Sequence, residues 1–343
     1  MQYTTLGRTG LQVSRLCLGM MGMGAPQWRP WVLGEDDARP VVRRAVELGV
    51  NFIDTADTYS AGESEKLVGK LVREIGRRDE LVIATKVYNP VTFDFKSGQD
   101  LASLAKAKRP NMQGLSRKRI FAAIDASLKR LDLEYVDLWQ IHRWDYETPV
   151  EEFMEALHDV VKSGRVRYIG ASSMWAWQFA KAQHVAERHG WTRFVSMQNH
   201  YNLAYREEER EMLPLLRDQG VGCNPWSPLA RGFLCDDPDA PPAGPRAPVD
   251  PLRKQYYATQ ADRAIAREVG TVAAARGATR AQVALAWLLS PLSAAGGVTS
   301  PIVGPQSVQE LQDLVAGTDL LFTGDEIRRL EAPYVAKPVL GHI

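Results

Sequence analysis

Short apolar runs alternate with amphipathic helical stretches along almost the whole chain, and this alternation constrains the fold more than any single motif. Strand-like runs cover residues 16–18, 52–54, 81–86, 136–141, 167–171, 194–198, 222–226 and 301–303. Helical stretches cover 36–48, 64–75, 116–131, 150–163, 175–188, 207–219, 279–289 and 307–316. Within 116–131, Ile120, Ile124, Leu128 and Leu131 recur at steps of four, four and three, the period of one helix face. Gly49, Gly164 and Gly220 each follow a helix, where glycine suits a left-handed cap. Eight such units predict an α/β protein, a single (β/α)8 TIM-barrel domain over residues 1–343.

A barrel of this kind takes about 250 residues. The rest of the chain is assigned to a hairpin at 3–6 and 12–13, extra helices at 260–276 and 324–331, and two long connections. Those connections, 88–114 and the Pro-rich 227–257, both follow strand C-termini, the face on which such barrels carry their active sites. The second is a candidate lid.

Bulk properties exclude several classes. A net charge of +1 gives no global attraction to nucleic acid or anionic membrane. The N-terminus lacks an apolar signal region, and the longest apolar helical run, 283–289, is too short to span a bilayer. Three unpatterned cysteines, Cys17, Cys223 and Cys235, argue against a disulfide framework and for a reducing, cytoplasmic location. The remaining histidines are scattered, with no H-E-x-x-H or Cys/His cluster, so no metal site is expected. No G-x-S-x-G elbow is present. The glycine-rich run 19–25 fails the G-x-G-x-x-G spacing, because Gln27 stands where the third glycine belongs.

Four polar residues follow buried strands: Asp54 and Tyr59 in FIDTADTYS, Lys86 at the end of VIATK, and His142 at the end of LWQIH. Singly, each has a structural explanation. Together they make an oxygen site that transfers one proton. A free tyrosine titrates at about pH 10, too high for efficient acid catalysis at neutral pH. Lys86 is expected to lower that value by its charge, and Asp54 to orient Lys86. His142 is placed to hydrogen-bond a substrate oxygen beside the Tyr59 hydroxyl.

These motifs resemble those of the aldo-keto reductase family, and the similarity runs from TLGRTGLQVS to the helix after SPIVG. The resemblance implies a (β/α)8 barrel that reduces aldehydes and ketones with NAD(P)H and no metal. It implies Tyr59 as general acid, Lys86 and Asp54 as its tuning pair, and His142 as the carbonyl-orienting group.

The family also implies a cofactor set. Ser172, Ser173 and Gln198 suit a carboxamide, which needs donors and acceptors, although Ser173 stands where the family more often has Asn. Trp226 takes the place of the ring that stacks on nicotinamide. Ser227, Leu229, Arg231 and Gly232 resemble the pyrophosphate loop, and Gly19 and Met20 lie in the first barrel loop beneath the cofactor. Gly304, Gln306, Ser307, Glu310 and Asp313 fall in the segment that grips adenosine. Many relatives carry a cation where Gln306 stands, so the expected cofactor is NADPH with NADH tolerated.

Candidate substrate residues are Met21, Trp28, Trp31, Tyr88 and Trp144, joined by Met20 and Met174. They suggest a sizeable aromatic carbonyl, or the corresponding alcohol, as the small-molecule partner. The sequence leaves the oligomeric state open. Two rival readings stand beside this one. The first is an NADP(H)-binding redox-sensing subunit like the β-subunits of potassium channels. The second is a hydrolase or isomerase barrel using Asp54 and His142, which the Ser172, Gln198 and Trp226 set disfavours.

Overall fold

The computed structural model describes residues 1–91, 110–242, 244 and 246–342. Most of the predicted connection 88–114 lies outside the described residues.

β1 (Tyr3–Thr5) and β2 (Gln12–Ser14) form an antiparallel hairpin. Eight parallel strands follow: β3 (Cys17–Gly19), β4 (Phe52–Asp54), β5 (Val82–Val87), β6 (Val136–Ile141), β7 (Val166–Ser172), β8 (Phe194–Gln198), β9 (Gly222–Cys223) and β10 (Ile302–Val303). Their order in the sheet is β10-β3-β4-β5-β6-β7-β8-β9. The backbone N–H of Ile302 donates to Pro225 O, and that of Thr299 to Cys223 O, both at 2.9 Å. These bonds join the two ends of the sheet, so the strands close into the expected α/β barrel.

Helices connect the strands: α1 (Glu35–Glu47), α2 (Glu63–Ile75), α3 (Arg117–Leu131), α4 (Val150–Lys162), α5 (Ala176–His189) and α6 (Met212–Gln219). Between β9 and β10 lie α7 (Pro251–Tyr256), α8 (Gln260–Arg276) and α9 (Arg280–Leu289), and α10 (Val308–Gly317) and α11 (Gly324–Glu331) complete the set.

The period of two along each strand sorts residues between two cores. Leu18, Ile53, Ile83, Trp139 and Ile141 join the large apolar cluster shared with the helices. Cys17, Phe52, Val82, Ala84 and Leu138 form a separate small cluster inside the ring, with Leu6 and Val13 of the hairpin. The hairpin therefore plugs the N-terminal end of the barrel. The plug fits closely. Gly7 has φ +60°, and a Cβ there would lie 2.7 Å from Gly220 O and 2.8 Å from Gly222 N. Continuing the inward alternation from Phe52, Val82 and Leu138 places Asp54, Lys86, Gln140 and His142 towards the opposite end.

Three local differences from the sequence expectation have physical causes. The predicted helix 207–219 is a 3-10 turn at Glu207–Glu209 followed by α6. Pro214 is tolerated in a first helical turn but not in a helix interior, which fixes the later start. The predicted strand 222–226 is regular only at Gly222–Cys223 and continues as a single parallel bridge between Trp226 and His200, since Pro225 cannot donate to a ladder. Inside the predicted Pro-rich connection, Pro251 opens α7 behind an Asp250 cap that accepts from Leu252 N.

Candidate active site

Lys86 is fully buried near the end of β5. Its ammonium meets three acceptors: Asp54 Oδ2 at 2.5 Å, the Thr55 carbonyl at 2.7 Å and Tyr59 Oη at 3.3 Å. An ammonium has three hydrogens, so each is used. Burial opposes the Lys86 charge, but Asp54 and Tyr59 together outweigh it and hold the pKa above its usual value. Lys86 is therefore cationic at neutral pH. Asp54 is fixed in turn through Oδ1, which accepts from Gln140 Nε2 and Gln198 Nε2 at 3.0 Å each.

Tyr59 departs from the expectation of a lowered pKa, although Lys86 acts on it in the expected direction. Burial is the largest effect and raises it above 10; the Lys86 charge and hydrogen bond pull it down, and Asp54 pushes it up. The phenol keeps its proton until charge builds on a nearby oxygen. His142 packs edge-on to Tyr59 with ring centroids 5.8 Å apart. Burial, then Arg143 and Lys86, hold its pKa well below 6.5, so the imidazole is neutral. A neutral ring donates one hydrogen bond without adding a cation beside the phenol.

Asp54, Tyr59 and His142 line one end of a cavity of about 640 Å³. Gly19, Ser172, Gln198, Trp226, Ser227, Leu229, Arg231, Gly304, Gln306, Glu310 and Asp313 line the same cavity, as do Met21 and Trp31. Trp226 is held at its edge and on one face. Its Nε1 donates to Ser173 Oγ at 3.0 Å, and its ring stacks on His200 at 4.1 Å and 8°. Beyond it, the backbone at Ser227, Ala230, Arg231 and Gly232 has positive φ. Such left-handed turns gather N–H groups into an anion-binding concavity.

Other expected site residues sit elsewhere. Met20 and Met174 are fully buried core residues. Trp144 is also in the core, packed edge-on against Phe153 at 5.4 Å. Trp28 does not line the cavity but packs 6.3 Å from the Tyr59 ring, and Tyr88 is half-buried against the core. Ser173 acts through Trp226, and Ser307 is the N-cap of α10, accepting from Glu310 N at 3.1 Å. Arg231 is already engaged: Asp250 accepts from it bidentately at 2.7 and 3.0 Å, and also takes Arg246 at 2.6 Å.

Several cavity or supporting residues carried no motif signal. Gln140 was available only as the inward residue two before His142. Arg143, Arg246, Arg253 and Tyr256 line the cavity from loops and from α7, and Asp250 holds Arg231 and Arg246. Among the described residues, no group of three or more His, Cys, Asp and Glu is arranged to hold a metal. No helix there is long and apolar enough to cross a membrane.

The family model of the Aldo/keto reductase family matches residues 15–334. An aldo-keto reductase of Fusarium vanettenii is 44% identical over 351 residues, covering 99% of this chain and 93% of that protein. The versiconal hemiacetal acetate reductase of Aspergillus parasiticus is 44% identical over 99% of this chain and 98% of that protein. A putative aryl-alcohol dehydrogenase of Schizosaccharomyces pombe is 43% identical over the same shares. The channel-subunit reading finds no support among these relatives. The chain belongs to the aldo-keto reductase family and is an NAD(P)H-linked oxidoreductase of carbonyl groups.

Proposed function

We propose that the protein reduces an aromatic aldehyde or ketone to the alcohol, with Tyr59 as proton donor. The reading rests on the single ammonium of Lys86 shared between Asp54 and Tyr59 inside a closed barrel. His142 donates a hydrogen bond that orients the carbonyl oxygen beside Tyr59 Oη. As negative charge develops on that oxygen, the Tyr59 proton moves to it. The phenolate left behind is held by Lys86, whose charge Asp54 keeps in place; Gln140 and Gln198 keep Asp54 in place. Burial makes these electrostatic effects stronger than they are in water. The reverse oxidation uses the same groups with Tyr59 as base.

The residues present fit a dinucleotide. Trp226 offers a held aromatic face, Ser172 and Gln198 offer polar groups beside it, and the left-handed turns at Ser227–Gly232 suit a diphosphate. When bound, the reduced nicotinamide supplies the hydride that reaches the carbonyl carbon. At the far end, Glu310, Asp313 and Asp236 line the cavity with Arg253, which pairs with Asp236 at 2.5 Å. That acidic surplus disfavours an added 2′-phosphate and speaks against strict NADPH selection; NADPH use with NADH tolerated rests on the family likeness. We further assign the protein to the cytoplasm, in keeping with its three free cysteines, and treat the chain as one catalytic domain.

Reduced-nicotinamide absorbance, followed with 4-nitrobenzaldehyde and each dinucleotide in parallel, tests the reading. Consumption supports it. No consumption with any of a panel of aromatic aldehydes, while cofactor fluorescence still responds to binding, would overturn it.

A further inference from the structure

We propose that Arg143 is a substrate-binding residue that selects carbonyl compounds bearing an anionic group, a carboxylate above all. This inference rests on the carbonyl-reductase reading and names the class of substrate within it.

Among the described residues, five guanidinium groups line the cavity: Arg29, Arg143, Arg231, Arg246 and Arg253. Asp250 neutralises Arg231 and Arg246 together, and Asp236 pairs with Arg253. Arg29 and Arg143 have no carboxylate partner among the described residues. Arg29 lies in the electrostatic reach of Arg231 and Asp250, beside the left-handed turns that suit a diphosphate, so a dinucleotide accounts for it.

Arg143 stands beside His142. It directly follows His142, and its Nη1 donates to the His142 carbonyl at 2.7 Å. Burial holds its pKa below the usual value, and the groups that act on its charge against this are the phenols of Tyr59, Tyr256 and Tyr88. A half-buried cation facing phenols rather than carboxylates retains a desolvation cost that an incoming anion would offset. The guanidinium remains protonated because its unperturbed pKa exceeds about 12. Its fork of donors matches a carboxylate with two parallel hydrogen bonds, a geometry no ammonium reproduces. One donor is taken by the His142 carbonyl, which pins the group and leaves the others for the ligand. The same hydrogen bond keeps the anion site in register with the imidazole beside Tyr59. The inferred substrate is thus a planar aromatic aldehyde or ketone with a carboxylate a few bonds from the carbonyl.

The test uses 2-, 3- and 4-carboxybenzaldehyde, each against its methyl ester, with the full chain and either dinucleotide. In the wild type, kcat/KM for at least one acid exceeds that for its ester by tenfold or more. Arg143→Met brings the ratio close to one, mainly through KM, and Arg143→Lys recovers only part of it. Cofactor fluorescence titration of both variants checks that the dinucleotide site is intact. Equal kcat/KM for every acid and ester, with 4-nitrobenzaldehyde reduced, overturns this inference alone. An Arg143→Met variant that keeps the wild-type preference overturns it as well. Reduction of none of the aldehydes removes the carbonyl-reductase reading and this inference with it.

Discussion

The side-chain amide of Gln198 donates to Gln140 Oε1 at 3.3 Å, and both amides also donate to the same oxygen of Asp54. Three strands, β4, β6 and β8, are thereby linked across the barrel interior beneath Tyr59. Gln140→Leu removes one donor to Asp54 and one acceptor of Gln198. A buried polar group left without its partner costs about 1–3 kcal/mol. Urea unfolding should show a loss in that range, together with a lower kcat at unchanged cofactor affinity. A variant as stable and active as the wild type would show that the amide pair is incidental.

Tyr59→Phe removes the proposed acid and little else. General acid catalysis contributes roughly 10²–10⁴-fold. Carbonyl reduction should fall within that range while the dinucleotide dissociation constant, read by fluorescence, stays near wild type. Retained turnover would assign the proton to another group.

Glu310 accepts from the backbone N–H of Gln306 at 2.7 Å, so a carboxylate already occupies the start of α10. Gln306→Arg combined with Glu310→Gln replaces that acid with a cation at a helix N-terminus, which favours an added phosphate. The ratio of dissociation constants for NADPH and NADH should shift at least tenfold towards NADPH. No shift would place the adenosine phosphate elsewhere.

Asp57 lies two residues before Tyr59, fully buried, with Oδ2 3.0 Å from Arg119. Burial, only partly opposed by Arg119, raises its pKa to about 7. The unfolded chain releases this proton at about pH 4, so the folded state binds more protons between pH about 4 and about 7. The stabilisation from this group is complete below that window and is lost as pH rises through it. Asp57→Asn does not titrate. Its melting temperature relative to wild type should therefore rise from pH 5 to pH 8. Parallel curves would show that Asp57 does not titrate in this window.

The sequence disclosed what periodicity and strand position control. Position at the C-terminal ends of successive strands put Asp54, Lys86 and His142 in one place, and the structure brings them together. It could not disclose which way a loop side chain turns. Trp144 follows His142 closely yet packs on Phe153, while Arg143 between them reaches the cavity. Nor could it give the sum of opposing effects on one proton. The Lys86 charge was legible beside Tyr59, but the depth of burial that outweighs it is a tertiary property. Asp250 carried no sequence signal, and its double ion pair joins Arg246, four residues away, to Arg231, nineteen residues away.

The plug at the barrel floor also has a consequence for synthesis. Arg8 N–H bonds to Gly220 O, and the strand edge at β3 waits for β10 at Ile302–Val303. The hairpin pairs with itself, but its contact at Gly220 and the outer edge of β3 have no partners until most of the chain has followed. Contacts of such long sequence separation form slowly, and an unpaired strand edge invites association meanwhile. The protein's yield in a cell then depends on how long the hairpin and this edge are sheltered, and a variant with a damaged hairpin should fail during production even where its chemistry is untouched.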